Sequence, residues 1–295
     1  MNMQWTGMLN DAQFDALKKL CDECDCADAG LPALHWHLLM VAREEHSNIL
    51  YWDNGRLVGF ISIYFFFANR AEISLLVAPS HRRQGIARRL LSHMLPMCHR
   101  VETIVFSASP TLSWLSQHSL QYDHSDYPMQ RKQPVSVTCT QQLNYCLTRG
   151  VLQVRTATLQ DIDVLCTIDA ACFPDESSEM QERFEALLSH PSYTVVVGEF
   201  QNNIVGKAHI RWETEDAYFS DIGVLPAYQC QGLGSDLLAA IIKVADQNHK
   251  MIQCLEVEAR DIKVLNLYRR LGFEVKQVID FWSVSVENLQ ILLDV

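Results

Sequence analysis

The sequence predicts an α/β protein with a mixed sheet, built twice along one chain. Two glycine loops, "HRRQGIA" at 81–87 and "YQCQGLG" at 228–234, recur 147 positions apart. Their flanks recur with them: Gly59 falls on Gly206, Val77 on Val224, Pro79 on Pro226, and Leu90-Leu91 on Leu237-Leu238. Each loop follows a β-rich run and precedes an apolar stripe of helical period. A chain of 295 residues also exceeds what one core usually organises.

The elements follow in order. "NDAQFDALKKL" opens the first half as a helix beginning near Asn10. "NILYWDNGRLVGFISIYFF" reads as two strands around Asp53-Asn54-Gly55, a strong hairpin signal. A third strand, "AEISLLV", stops at Pro79, and Ile86, Leu90, Leu91, Met94, Leu95 and Cys98 then mark one face of a helix. In the second half "LQDIDVLCTIDAACF" is helical, and "TVVVGEFQNNIVGKAHIRW" is a hairpin turning at Asn202-Asn203. "AYFSDIGV" stops at Pro226, and Leu233, Leu237, Leu238, Ile241, Ile242 and Ala245 share a helix face. The expected domains are 1–133 and 151–295, with a junction at 134–150 where the pattern weakens.

Composition narrows the function. The formal net charge of −11 argues against a nucleic-acid partner, which requires a basic face, and leaves room for a cationic or amine-bearing substrate. The N-terminus lacks the basic and apolar regions of a signal peptide, and no apolar run is long enough to span a bilayer, so a cytoplasmic protein without membrane contact is expected. Ten cysteines without a secretory signal fit a reducing compartment. Cys21, Cys24 and Cys26 in "CDECDC" offer three thiols where zinc sites normally close with four ligands, so no metal is expected.

A strand entering a glycine turn and then a helix forms an anion site, because the first helical turn presents free N–H groups and a partial positive charge. A Walker loop needs Gly-Lys-Ser/Thr, which neither copy has; a dinucleotide loop needs a third glycine, which "QGLGSDLL" lacks. The run Val224-Leu225-Pro226-Ala227-Tyr228-Gln229-Cys230-Gln231-Gly232-Leu233-Gly234 resembles the pyrophosphate loop of the GNAT superfamily of N-acetyltransferases. "LEVEARDIKVLNLYRRLGFEV" at 255–275 is similar to that family's second signature. The tandem layout resembles mycothiol synthases, and the second half alone the ribosomal-protein alanine acetyltransferases.

The resemblance implies a tandem duplication of the GNAT fold and transfer of an acetyl group from acetyl-CoA to a primary amine on a small molecule, protein or peptide. It implies that Ile222, Val224, Gln229, Cys230, Gln231, Gly232, Leu233, Gly234 and Ser235 bind the coenzyme. Val77, Arg82, Arg83, Gln84, Gly85, Ile86 and Ala87 are their counterparts in the first half. Tyr268 stands at the family's general-acid position, with a core tyrosine as the other reading. Glu256 is the candidate base, with a surface strand glutamate as the other reading and Asp221 in reserve. Cys230 has no neighbouring histidine in sequence to activate it as a nucleophile.

The family's usual Asn seven residues before the tyrosine is Asp261 here, which puts that coenzyme contact in doubt. In the first half Leu115, beside Trp114, stands at the acid position, so that half reads as catalytically silent. Its loop is nonetheless the more basic, with Arg82, Arg83, Arg88 and Arg89 suited to phosphate and a solvated helix face as the other reading. Asp175, Glu176 and Glu179 in "CFPDESSEMQERF" fall where the family forms its acceptor groove and could attract a cation, with a charge cluster at a helix start as the preferred reading. The alternative function is an acyl-CoA-binding sensor or scaffold without turnover. A monomer and a homodimer are both compatible with the sequence.

Overall fold

The computed structural model describes residues 2–44, 46–66, 68–110, 120–132, 152–173, 180–258 and 262–293. The expected junction at 134–150, together with Trp114, Leu115, Asp175, Glu176, Glu179 and Asp261, lies outside the described residues. The chain divides into two compact units, Met1–Tyr127 with Gln277–Val295, and Pro128–Lys276. These units differ from the two sequence halves, because the last nineteen positions pack with the first unit.

In the first unit β1 (Asn2–Thr6) precedes α1 (Asp11–Asp28) and the short α2 (Trp36–Leu39). Asn10 caps α1 with a capping box to Gln13. Cys21 and Cys24 lie on its buried face at 3% and 0% exposure, so they pack as small apolar groups. The hairpin β2 (Asn48–Asp53) and β3 (Arg56–Tyr64) turns on Asn54 and Gly55, both at positive φ as a two-residue loop requires. Then come β4 (Arg70–Val77), α3 (Ile86–Met94), β5 (Thr103–Ala108) and β6 (Gln121–Lys132), whose residues through Tyr127 belong here. The chain's last strand, β13 (Ile279–Ser285), is antiparallel to both β5 and β6, giving the order β1-β2-β3-β4-β5-β13-β6.

The second unit holds β7 (Gln153–Thr156), α4 (Ile162–Cys172), α5 (Met180–Ser189), β8 (Tyr193–Phe200), β9 (Asn203–Trp212) and β10 (Asp216–Val224). α6 (Leu233–Gln247), β11 (Ile252–Glu258), α7 (Ile262–Arg270) and β12 (Glu274–Val275) follow. The order from the β11 edge is β11-β10-β9-β8-β7, and the Pro128–Lys132 part of β6 lies beyond β11. Arg131, 3% exposed, anchors that part through Gln253 at 2.9 Å and Asp246 at 3.2 Å. The β8–β9 turn uses Gln201 and Asn202, at φ 51° and 64°, one position before the expected pair. The Phe200–Asn203 pairing leaves only those two residues to reverse the chain. Leu237, Leu238, Ile241, Ile242 and Ala245 of α6 are all at 0% exposure, confirming the predicted face. Each larger side chain there contributes about 1.5–3 kcal/mol through burial.

α8 (Val286–Leu292) completes the first unit, placing Leu289 and Leu293 in its core. β1, β7, β6 and β13 are short or of mixed polarity and carry no clean period in sequence.

Candidate active site

The two glycine loops share one backbone. Ala78 and Leu225 lie at φ −49° and −47°, Arg82 and Gln229 at −69° and −69°. Arg83 and Cys230 adopt φ 61° and 60°, and Gly85 and Gly232 φ 78° and 87°. A left-handed residue turns the chain so that the following helix starts with its N–H groups facing outward. In the second unit Gln229, Cys230 and Gln231 are exposed, and Ile222, Val224, Gly232, Gly234 and Ser235 are half-buried. The Leu233 side chain is 2% exposed in the core, so only its backbone can serve a ligand. Gln229 Nε2 donates to the Val224 carbonyl at 2.9 Å, bracing the loop. An added Cβ at Gly234 would reach Val224 at 3.9 Å.

The strands beside this loop diverge. β10 and β11 pair in parallel as far as Phe219 with Leu255, so Ser220 and Glu256 are the next residues on each side. At that point β10 carries a bulge between Ser220 and Gly223 against β9, with Asp221 at φ 51°. Glu256 is exposed, on the opposite side of β11 from Gln253, Leu255 and Val257. Tyr268 lies in the last turns of α7, which Gly272 closes at φ 89°. Its ring packs edge-on against Phe273 at 6.2 Å, and Phe273 against Phe219 of β10 at 6.3 Å. Burial pushes the Tyr268 phenol up, so it is fully protonated near neutral pH.

Sequence reading missed a buried polar group beneath the bulge. Lys207 and Asp169, both at 0% exposure, form an ion pair. Lys207 Nζ lies 3.4 Å from His209 Nε2, and His209 Nδ1 lies 3.2 Å from Asp221 Oδ2. Arg183 of α5 donates to Asp221 Oδ1 at 3.1 Å. Burial lowers the His209 pKa. Burial alone would raise Asp221, but the His209 hydrogen bond and the Lys207 charge outweigh it and hold the carboxyl well below its usual range. The available signal was "VGKAHI", where two polar residues share one face of an otherwise apolar strand.

The first unit is arranged differently. Its β3–β4 ladder runs from Gly59–Val77 to Tyr64–Glu72 without a register shift. β4 and β5 pair as far as Ile73–Phe106, and the next residues are Ser74 and Ser107. Ala33 occupies that gap: its N–H donates to Ser107 Oγ at 3.0 Å and its carbonyl accepts from Ser74 Oγ. Below the loop lies a cavity of about 530 Å³, lined by Val77, Arg82, Arg83, Gly85, Ile86 and Ala87 with apolar residues of β4, β5 and α8.

The arginines expected to grip phosphate are largely engaged elsewhere. Arg82 is bidentate to Asp28 at 2.7 and 2.6 Å, with its Nε on the Val77 carbonyl. Arg88 donates to the Leu293 carbonyl and Arg89 to the Tyr51 hydroxyl. Arg83 and Gln84 are exposed, with Gln84 reaching the Ser80 carbonyl as Gln231 reaches that of Ala227.

A mixed α/β fold occurring twice, with a glycine loop feeding a helix N-terminus beside a diverging strand pair, defines a tandem acyltransferase-type protein. The acetyltransferase (GNAT) family model matches residues 12–108 and 162–273, and the chain belongs to that family. A mycothiol acetyltransferase from Clavibacter sepedonicus is 25% identical over 226 residues, 68% of this chain and 69% of that protein. A GCN5-related N-acetyltransferase from Sphaerobacter thermophilus superposes with TM-score 0.76 at 16% identity, covering 96% of each chain. A tandem GNAT protein from the clavulanic acid biosynthesis pathway, solved without AcCoA, gives 0.65 at 14% identity over 97% and 99%. Among the described residues no cluster suited to a metal ion is present, and no helix is long and apolar enough to cross a membrane.

Proposed function

We propose that the second unit transfers an acetyl group from acetyl-CoA directly to a primary amine in a ternary complex. The observation that carries this reading is the bulged, diverging β10–β11 pair beside the Gly232 loop, with Glu256 at the point of divergence. The loop N–H groups from Gln231 to Ser235 face a pyrophosphate, Ile222 and Val224 border the coenzyme arm, and the backbone N–H near Val224 polarises the thioester carbonyl. Glu256 draws the proton from the acceptor ammonium, directly or through water, and Tyr268 protonates the departing thiolate. An alkylamine has a pKa of about 10, so removing that proton is part of the chemical task near neutral pH.

The first unit reads as a coenzyme-binding domain without turnover. The cavity under the Gly85 loop favours binding, while Ala33 bridges Ser74 and Ser107 at the position where the second unit opens.

The test is Tyr268→Phe, assayed for turnover and for acetyl-CoA binding by calorimetry. A general acid contributes about 10²–10⁴-fold, so turnover should fall by that order with coenzyme affinity unchanged. Unchanged turnover would remove Tyr268 from the mechanism.

A further inference from the structure

We propose that Asp221 is the carboxylate that receives the acceptor as an ammonium ion, and that the buried chain Asp169–Lys207–His209 positions it. The inference rests on the amine-acetylating reading above and specifies how that acceptor is recognised.

Hydrogen-bond chemistry assigns a direction to the chain. Lys207 is an ammonium with donors only, so His209 Nε2, 3.4 Å away, is the acceptor. The imidazole proton then sits on Nδ1 and is donated to Asp221 Oδ2 at 3.2 Å. Asp169 pairs with Lys207 from α4 and holds the ammonium in place at 0% exposure. The groups around Asp221 are thus Lys207 and His209 on β9, with Asp169 of α4 paired to Lys207, Arg183 on α5, and the neighbouring Ser220 hydroxyl. In this arrangement Oδ1 faces Arg183, the most exposed of these charged partners. Arg183 holds it at 3.1 Å and its side chain is 39% exposed, against 2% for His209. A cation from the protein already occupies the position, and an incoming ammonium replaces it as Arg183 turns to solvent.

The backbone supports the same assignment. Asp221 is the bulge residue of β10, at φ 51°, immediately before Ile222, and the bulge turns its side chain out of the ladder. Gly223, two residues on, lies so close to α4 that an added Cβ would meet Cys172 and Phe173 at 3.1–3.2 Å. The Asp221 carboxylate itself is held between His209 of β9 and Arg183 of α5, which keep it ionised near neutral pH.

The test compares wild type with Asp221→Asn, an isostere that tolerates positive φ. The acceptors are putrescine and tyramine, fully protonated at pH 7.5, and an alanine-initiated peptide, mostly protonated there, with an uncharged arylamine as comparator. A hydrogen bond to a charged group corresponds to about a ten- to hundredfold effect. KM for the charged acceptors should rise at least about tenfold, with kcat changed far less and acetyl-CoA affinity unaltered. The arylamine KM should not move. An unchanged KM for the charged amines, or an equal loss for the arylamine, overturns the proposal while leaving acetyl transfer intact. Wild type acetylating none of the amines overturns the parent reading and this one with it.

Imidazole nitrogen NMR tests the positioning chain separately. His209 should be neutral and protonated on Nδ1 near pH 7, and should lose that fixed tautomer in Lys207→Met/Asp169→Leu. A doubly protonated His209, or an unchanged signal in that pair, refutes it.

Discussion

Replacing Lys207 by Met tests whether the second unit depends on a charge sequestered from water. Lys207 and Asp169 are both at 0% exposure, so removing the ammonium leaves a carboxylate with neither solvent nor counter-ion. Breaking a buried pair from one side costs about 3–5 kcal/mol. Lys207 also lies 5.1 Å from the Phe173 ring and 5.4 Å from Phe184, contacts that Met only partly replaces. For a unit of this size, 1 kcal/mol shifts the melting temperature by about 2–4 °C, so a loss of roughly 6–20 °C is expected by calorimetry. The control is Lys207→Met/Asp169→Leu, because replacing both charges with apolar groups is often neutral. It should recover most of the loss. A single variant within about 1 kcal/mol of wild type, or a double variant no better than the single, would refute the reasoning.

Other outcomes follow from the same structure. Calorimetric titration with acetyl-CoA should show two sites, one lost in Gly232→Glu and the other in Gly85→Glu, since each glycine holds a left-handed conformation; a single site lost only in Gly232→Glu would remove coenzyme binding from the first unit, and one lost only in Gly85→Glu would remove it from the second. Stability should fall on the acid side in two stages. His209, whose pKa is lowered by burial, contributes stability that is present above its unfolded value of 6.5 and declines as pH falls towards its folded value. Asp161, held down by Arg155, and Asp221 keep theirs above about pH 4 and lose it as pH falls further. Urea unfolding across pH 3–8 checks the sign, and stability rising on acidification would contradict it. Peptide mapping after alkylation at pH 8 should find Cys26 and Cys230, both exposed, modified first. Cys21, pushed up to about 12, and Cys24 and Cys98, each pushed up to about 11, should stay unmodified.

The sequence by itself determined the duplication, the two glycine loops, the Asn54-Gly55 hairpin and the apolar faces of α3 and α6. Each is a short-range pattern: a period of two or 3.6, a turn needing positive φ, a glycine before a helix. It also singled out Glu256 and Tyr268 as candidates, because a family signature spans consecutive residues. Tertiary structure alone decided the rest. Asp28 takes Arg82 from 54 positions away, an ion pair that no local pattern announces. The last strand, β13, inserts between β5 and β6 of the first unit, although the strand before it in sequence belongs to the second. The bulge at Asp221 and the chain to Asp169 join residues separated by up to 52 positions. A buried charge is stable only beside a partner that folding delivers, and sequence spacing does not record which partner that will be.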